Sequence, residues 1–281
     1  MSDLSTASIR KLPAARGLAW FSGSWELVRR QPLRLLLVSL FFQLFLSFSQ
    51  ADILGLLVIL CLPVLSAGLL HAFYLVEHGE KPMLAVLFMP FTAKNSVSRL
   101  LLLGGIVLVL GLLLVSLILA GEVMDIDPQI MGRIEQGDLD AIQFIDPKVM
   151  ESAIMAMAIA AAVSGAITYF SVPLIWFRKQ ATGRAVVLGL KAMGRNWKPL
   201  LVLGCLLGVL AVPIALLFAS FYLSALSEGS ASVWLAFVLL LLGPLFQLLL
   251  FGTQYLAFRD IFGLDEASTV SGKTTTDQLV A

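Results

Sequence analysis

The chain has 281 residues, 59% of them hydrophobic and only 13% charged, with a mean hydropathy of +0.95. A water-soluble domain carries about 25% charged residues, so this composition excludes one and points to lipid as the solvent. The net charge of +1 comes from cations placed beside apolar runs, not gathered on a polar domain, which excludes a nucleic-acid-binding surface.

Residues 1–12 are polar and are expected to form a disordered tail. Residues 1–31 contain Arg10, Lys11, Arg16, Arg29 and Arg30 and no uninterrupted apolar core of a signal peptide, so the N-terminus is expected to stay on the side of synthesis. Pro13 opens a single membrane domain predicted over 13–262. Its first element is a basic, amphipathic run, Ala15–Arg34. Leu18, Phe21, Trp25 and Val28 recur at helical spacing on one face, with Arg16, Gly23 and Arg30 opposite. Trp20 and Trp25 suit the headgroup level, where an amphipathic ring meets both lipid and water.

A first span is predicted over Leu33–Ser49 and a second over Ile53–Val76, closed by the polar turn Glu77–Pro82. A second amphipathic run, Gly79–Arg99, precedes span 3 at Leu100–Gly121. The only long hydrophilic loop, 122–151, is strongly acidic. Span 4 covers Ser152–Phe177. The third run, Gly183–Leu201, is the most regular. Val186, Leu190, Met193 and Trp197 share one face, and Arg184, Lys191 and Arg195 the other, as in a helix lying in the membrane interface. Spans 5 and 6 follow at Pro199–Ser224 and Val233–Phe258, and 263–281 reads as a polar tail.

The expected fold is therefore an all-α integral membrane protein. Six transmembrane helices form three hairpins, each preceded by a cytoplasmic interfacial amphipathic helix. All of the 19 Lys and Arg except Arg133 and Lys148 fall on the N-terminal side of such a six-span chain. Positively charged loops stay cytoplasmic, which places both termini inside and the acidic loop outside. The three runs also suggest an internal repeat with units 13–78, 79–182 and 183–262. In support, Pro63 and Tyr74 of span 2 have the same spacing as Pro244 and Tyr255 of span 6.

No span carries Asp, Glu, Lys or Arg near its middle, which argues against ion-coupled transport. No nucleophile–base pair, phosphate-binding glycine loop or zinc motif is present, so no catalytic, cofactor or metal residue is assigned. His71 and His78 stand seven residues apart with too few neighbouring ligands for a metal. Cys61 and Cys205 lie in apolar runs and read as buried thiols, and Gly204 and Gly208 as a helix-packing pair.

Leu12-Pro13-Ala14-Ala15-Arg16-Gly17, with Trp20 and Trp25 and continuing to Glu77–Pro82, resembles a bacterial family of multi-pass membrane proteins with no assigned activity. That resemblance implies the inner (cytoplasmic) membrane and supplies no catalytic residues. More distantly, the hairpin plan is similar to the membrane domain fused to some glycerophosphodiester phosphodiesterases, without their catalytic domain.

Two functions remain open. The first is a non-enzymatic scaffold, assembly or regulatory factor for membrane-protein partners. The second is a transporter or lipid-handling protein with a cavity among the hairpins lined by Gln43, His71, Gln247 and Gln254. In either case Trp20, Trp25, Arg184, Lys191, Arg195 and Trp197 are the expected lipid-interface residues, with anionic headgroups as partners.

Overall fold

A computed structural model describes residues 9–48, 52–121, 128–136, 144–228 and 233–264. Among them the chain is helical throughout, with no strand. The helices are α1 (Arg16–Arg30), α2 (Pro32–Ser47), α3 (Asp52–Glu77), α4 (Met89–Thr92), α5 (Lys94–Leu119), α6 (Pro128–Glu135), α7 (Pro147–Arg178), α8 (Thr182–Arg195), α9 (Trp197–Glu228) and α10 (Val233–Phe262). Five of these, α3, α5, α7, α9 and α10, are long and apolar enough to cross a membrane. The apolar α2 has 16 residues, about 24 Å at the helical rise, against a hydrocarbon core of about 30 Å.

The centre of the bundle is α3. Of its most apolar stretch 56% is buried, against 6% for α9. Packing is densest at the end that carries α1 and α8. There Leu69, Leu70 and Phe73 of α3, Leu100 and Leu103 of α5, Phe170 and Leu174 of α7, and Tyr255 and Phe258 of α10 are fully enclosed. Towards the other end large apolar side chains face outward, including Leu113 and Leu117 of α5, Ile154 and Met157 of α7 and Val212 and Leu216 of α9.

Where helices meet, small residues let the backbones approach, as lipid-embedded bundles require. A methyl group at Gly104 of α5 would overlap the Leu60 carbonyl of α3, and one at Gly252 of α10 would overlap Ser24 of α1. Gly68 of α3 admits the backbone of Leu87 in the same way. Gly204 and Gly208 meet nothing, so the expected packing pair faces outward. Cys205, expected to be buried, is likewise exposed, while Cys61 is half-buried.

The three amphipathic runs differ. α1 and α8 each present three sectors. In α8 the small residues Thr182, Ala185, Gly189 and Ala192 are buried, largely against α7. Next around the helix comes the exposed Leu190, then the exposed Arg184, Lys191 and Arg195, while Trp197 of the predicted apolar face is exposed at the start of α9. In α1 the buried face is Gly17, Trp20, Ser24, Leu27 and Val28, packed on α9 and α10, while Leu18 and Trp25 of the predicted apolar face point outward.

The second run is no amphipathic helix. It is a 3-10 turn at Leu84–Leu87 followed by the single turn α4, because Pro82 and Pro90 lack the N–H groups a continuous helix would need. Its Val86 and Leu87 are buried on α3.

Two expectations about the ends of segments also change. Within the predicted disordered tail, residues 9–12 are pinned. The buried Asn196 side chain accepts from the Leu12 N–H at 2.8 Å and donates to the Arg10 carbonyl at 3.0 Å, and the Arg10 N–H donates to the Ile261 carbonyl at 3.0 Å. Within the expected outer loop lies α6, and α7 begins at Pro147, capped by the Asp146 carboxylate on the Lys148 N–H at 2.8 Å. The N-terminal residues 1–8, most of the polar tail 263–281 and the remaining loop residues lie outside the described residues.

Candidate functional site

Between the dense end and the opposite end of the bundle lies a cavity of about 530 Å³. Its walls come from six helices: Gln43 of α2, Pro63 and Ser66 of α3, Gly104 of α5, Thr168 of α7, Phe218 of α9 and Gln247 of α10 are representative. A second cavity, also about 530 Å³, adjoins it between α2, α9 and α10 and shares Gln43, Phe218 and Gly243. Both volumes fall in the range of roughly 300–1,000 Å³ that holds small ligands.

Helix geometry explains why space opens here. Pro63, Pro213 and Pro244 lie within α3, α9 and α10. Each removes one backbone hydrogen bond and strains the helix around it. Gly165 and Gly243 add no side chain to the walls, and a Cβ at Gly165 would meet nothing within 4 Å.

The lining is mostly apolar, with a few polar groups turned towards the space. Gln247 is anchored at one end. The Ser39 hydroxyl is shared between the Pro244 carbonyl and Gln247 Oε1, each at 3.0 Å. The Gln247 NH₂ group has no protein partner among the described residues. The Gln43 amide and the Ser66 hydroxyl have none either. The Thr168 hydroxyl is satisfied internally by the Ser164 carbonyl at 2.8 Å.

Of the four expected cavity residues, the structure brings Gln43 and Gln247 together at the space and leaves two outside. Gln254 is buried and donates to the Tyr169 carbonyl at 2.6 Å, one helical turn or two nearer the dense end. His71 belongs to an aromatic cluster. Its ring stacks on Tyr74 with centroids 5.4 Å apart and meets Trp176 edge-on at 5.7 Å. Sequence periodicity had no means of separating the two pairs, because all four polar residues sit in equally apolar runs.

Of the expected interface residues, Trp25, Trp197, Arg184, Lys191 and Arg195 are exposed. Trp20 is not. It is fully buried, and its indole N–H donates to the Asp260 carboxylate at 2.8 Å. The ring is an anchor for α1 on α10, since a buried indole needs an acceptor for its N–H.

Asp260 is part of an ion cluster that the sequence reading missed. Arg16 of α1 pairs with its Oδ2, and Arg259 contacts its Oδ1 at 3.1 Å. Arg259 also pairs with Glu77 of α3, whose other oxygen accepts from the Tyr255 hydroxyl. Two guanidiniums thus meet two carboxylates at the dense end. Arg178 is held beside them by the carbonyls of Phe262 and Gly263.

Among the described residues no group of three or more His, Cys, Asp or Glu could hold a metal. No family model, curated protein or solved structure matches this chain.

Proposed function

We propose that this is a non-enzymatic, lipid-handling protein of the bacterial inner membrane. It holds an apolar chain in the cavity among its helices, with a neutral hydrogen-bonding group of that ligand at Gln43 and Gln247. The observation that carries this reading is the combination of a 530 Å³ apolar space with the Gln43 amide and the Gln247 NH₂ group on its wall, which have no protein partner among the described residues. A polar group facing an apolar space without a partner costs free energy, on the order of 1–3 kcal/mol, and an ester or hydroxyl of a lipid removes that cost.

In the proposed topology α2 is the sixth span, its deficit in length made up by the bend at Gln31 and by α1 entering the interface. Both termini are cytoplasmic, in keeping with the charge bias of the loops. α8 lies at the cytoplasmic surface, with Leu190 and Trp197 in the acyl boundary and Arg184, Lys191 and Arg195 at anionic headgroups.

Scaffolding of a membrane-protein partner is the second reading. Its support is the absence of catalytic motifs and buried span charges in the sequence. The outward Leu and Val residues of α5 and α9 add little to it, because lipid alone requires an apolar outer surface.

The cavity reading is tested with Gly165→Phe, which fills the space from a position where a side chain meets no neighbour. Protein purified in mild detergent is expected to retain lipid by mass spectrometry. Gly165→Phe is expected to lose at least three-quarters of it with little change in melting temperature, and Gln43→Leu with Gln247→Leu about half. Equal retention in all three proteins would remove the cavity from the function.

A further inference from the structure

A different concavity lies where α5 begins and α7 ends. It has a volume of about 480 Å³ and is bounded by Ala93, Lys94, Asn95, Ser96, Arg99 and Lys179. Three cations from two helices, up to 85 residues apart in the chain, share this small space.

Two of them are held in place by neutral groups. The Arg99 guanidinium donates to the Lys179 carbonyl and, at 3.5 Å, to the Gln180 carbonyl. The Thr182 hydroxyl returns a hydrogen bond to the Arg99 carbonyl at 3.0 Å. Lys179 Nζ donates to Ser96 Oγ at 3.3 Å and rests 4.3 Å from the centroid of the Trp176 ring. Lys179 itself adopts a left-handed conformation, with φ of 53°, which a residue with a Cβ rarely does.

This arrangement carries an electrostatic cost. Burial, and next the charge of Arg99, push the Lys179 ammonium below its ordinary pKa. Among the described residues no ion pair joins Lys94, Arg99 or Lys179 to a carboxylate. Arg16, Arg30 and Arg259 on the same protein all have one. Cations that served only to fix topology would be better spread apart in water. Here the fold instead fixes them side by side. The 26-residue helix α5 adds the positive end of its dipole, without a side-chain cap, to the same rim.

We propose that the Lys94–Arg99–Lys179 pocket binds a phosphate group, carried by the headgroup of an anionic phospholipid. The planar guanidinium of Arg99 and the two ammonium groups match the oxygens of a phosphodiester, and charge-assisted hydrogen bonds to it would satisfy all three. The buried ring of Trp176 supports Lys179 from beneath, and the two helices that meet at the pocket are long and apolar enough to cross a membrane, so a group held at their ends lies at headgroup level. This site is distinct from the apolar cavity and does not depend on what that cavity holds.

The test uses the purified full-length protein in detergent and native mass spectrometry with phosphatidylglycerol, with diacylglycerol as the uncharged control. One phosphatidylglycerol is expected to bind tightly. Lys179→Gln and Arg99→Gln are each expected to weaken it about fivefold, the effect of about 1 kcal/mol per cation near a membrane surface. Arg99→Lys is expected to restore most of the affinity. Arg30→Gln, on the exposed face of α1, is expected to leave phosphatidylglycerol binding unchanged.

Displacement of the lipid by millimolar inorganic phosphate would support a phosphate site that soluble ligands also reach. Failure to displace it, with the variant pattern intact, would support the lipid alone. The proposal is overturned if the pocket variants bind phosphatidylglycerol as the native protein does, or if diacylglycerol binds equally well. If a variant folds poorly, the native protein alone decides. Phosphatidylglycerol is expected to raise its melting temperature more than diacylglycerol does, and equal shifts would overturn the proposal.

Discussion

Two cationic clusters occupy the same end of this bundle and are built on opposite principles. Around Asp260 and Glu77 both Arg16 and Arg259 have a counter-charge, and the cluster ties α1, α3 and α10 together. Around Lys94, Arg99 and Lys179 the cations have only carbonyls, a hydroxyl and an aromatic ring, and the cluster ties α5 to the α7–α8 junction. Arg178 and Lys179 are adjacent in sequence, yet one turns to the carbonyls that end α10 and the other to Ser96. The first cluster has its charges balanced as it stands, which is the mark of a structural joint. The second is complete only with an anion, which is the mark of a site.

The comparison is broken most directly by removing Asp260. Its side chain is 9% exposed and accepts from Arg16, Arg259 and the Trp20 indole. Asp260→Ala leaves two guanidiniums partly uncompensated and a buried N–H without an acceptor. Removing one partner of a buried ion pair costs about 3–5 kcal/mol. Because Arg16 keeps access to water, a loss near the lower bound, about 3 kcal/mol, is expected in reversible unfolding in mixed micelles. A loss below about 1 kcal/mol would show that the joint does not hold α1 in place.

A smaller effect is expected at Asn196, the residue between α8 and α9. Its side chain makes hydrogen bonds with both Arg10 and Leu12. Asn196→Ala should cost about 1–2 kcal/mol by leaving buried backbone groups unmet. It should also release the N-terminal segment, so that limited proteolysis cuts after Arg10 or Lys11 much faster than in the native protein. Unchanged cleavage would mean that the segment is held by its contact with Ile261 alone.

The long apolar elements were legible in the sequence, because hydropathy over some 20 residues reports directly on burial in lipid. The packing faces of α1 and α8 were not. The sequence placed Leu18, Phe21, Trp25 and Val28 on one face of α1, yet only Val28 of them is buried with Trp20 and Ser24, while Leu18 and Trp25 are exposed. In water an apolar stripe would be the packing face. Around lipid the logic inverts: apolar residues face outward, and small ones such as Ser24 and Gly189 admit a neighbouring helix. The run Thr182, Ala185, Gly189, Ala192 carried that signal in its small-residue spacing. The second run misled for a local reason, since Pro82 and Pro90 break a pattern that otherwise resembled the other two.

Half of the cavity was legible, since Gln43 and Gln247 were singled out as polar residues in apolar spans. The pocket of Lys94, Arg99 and Lys179 was not. Its members lie in separate segments, and only the pairing of α5 with α7 brings them together.

The smallest expected effect separates the two clusters most sharply. Lys179→Gln and Arg99→Gln remove charges that have no carboxylate to strand. Glutamine can still donate to Ser96 or to the carbonyls that end α7. Loss of hydrogen-bond geometry and relief of repulsion act in opposite directions, so stability without added anionic lipid should stay within about 0.5 kcal/mol of the native protein. The same unfolding measurement made with phosphatidylglycerol should show the native protein gaining stability and the variants gaining less, since a ligand that binds only the folded state stabilises it by mass action. If instead either substitution cost as much as Asp260→Ala, Lys179 and Arg99 would be a second structural joint, and the contrast between the two clusters would fall.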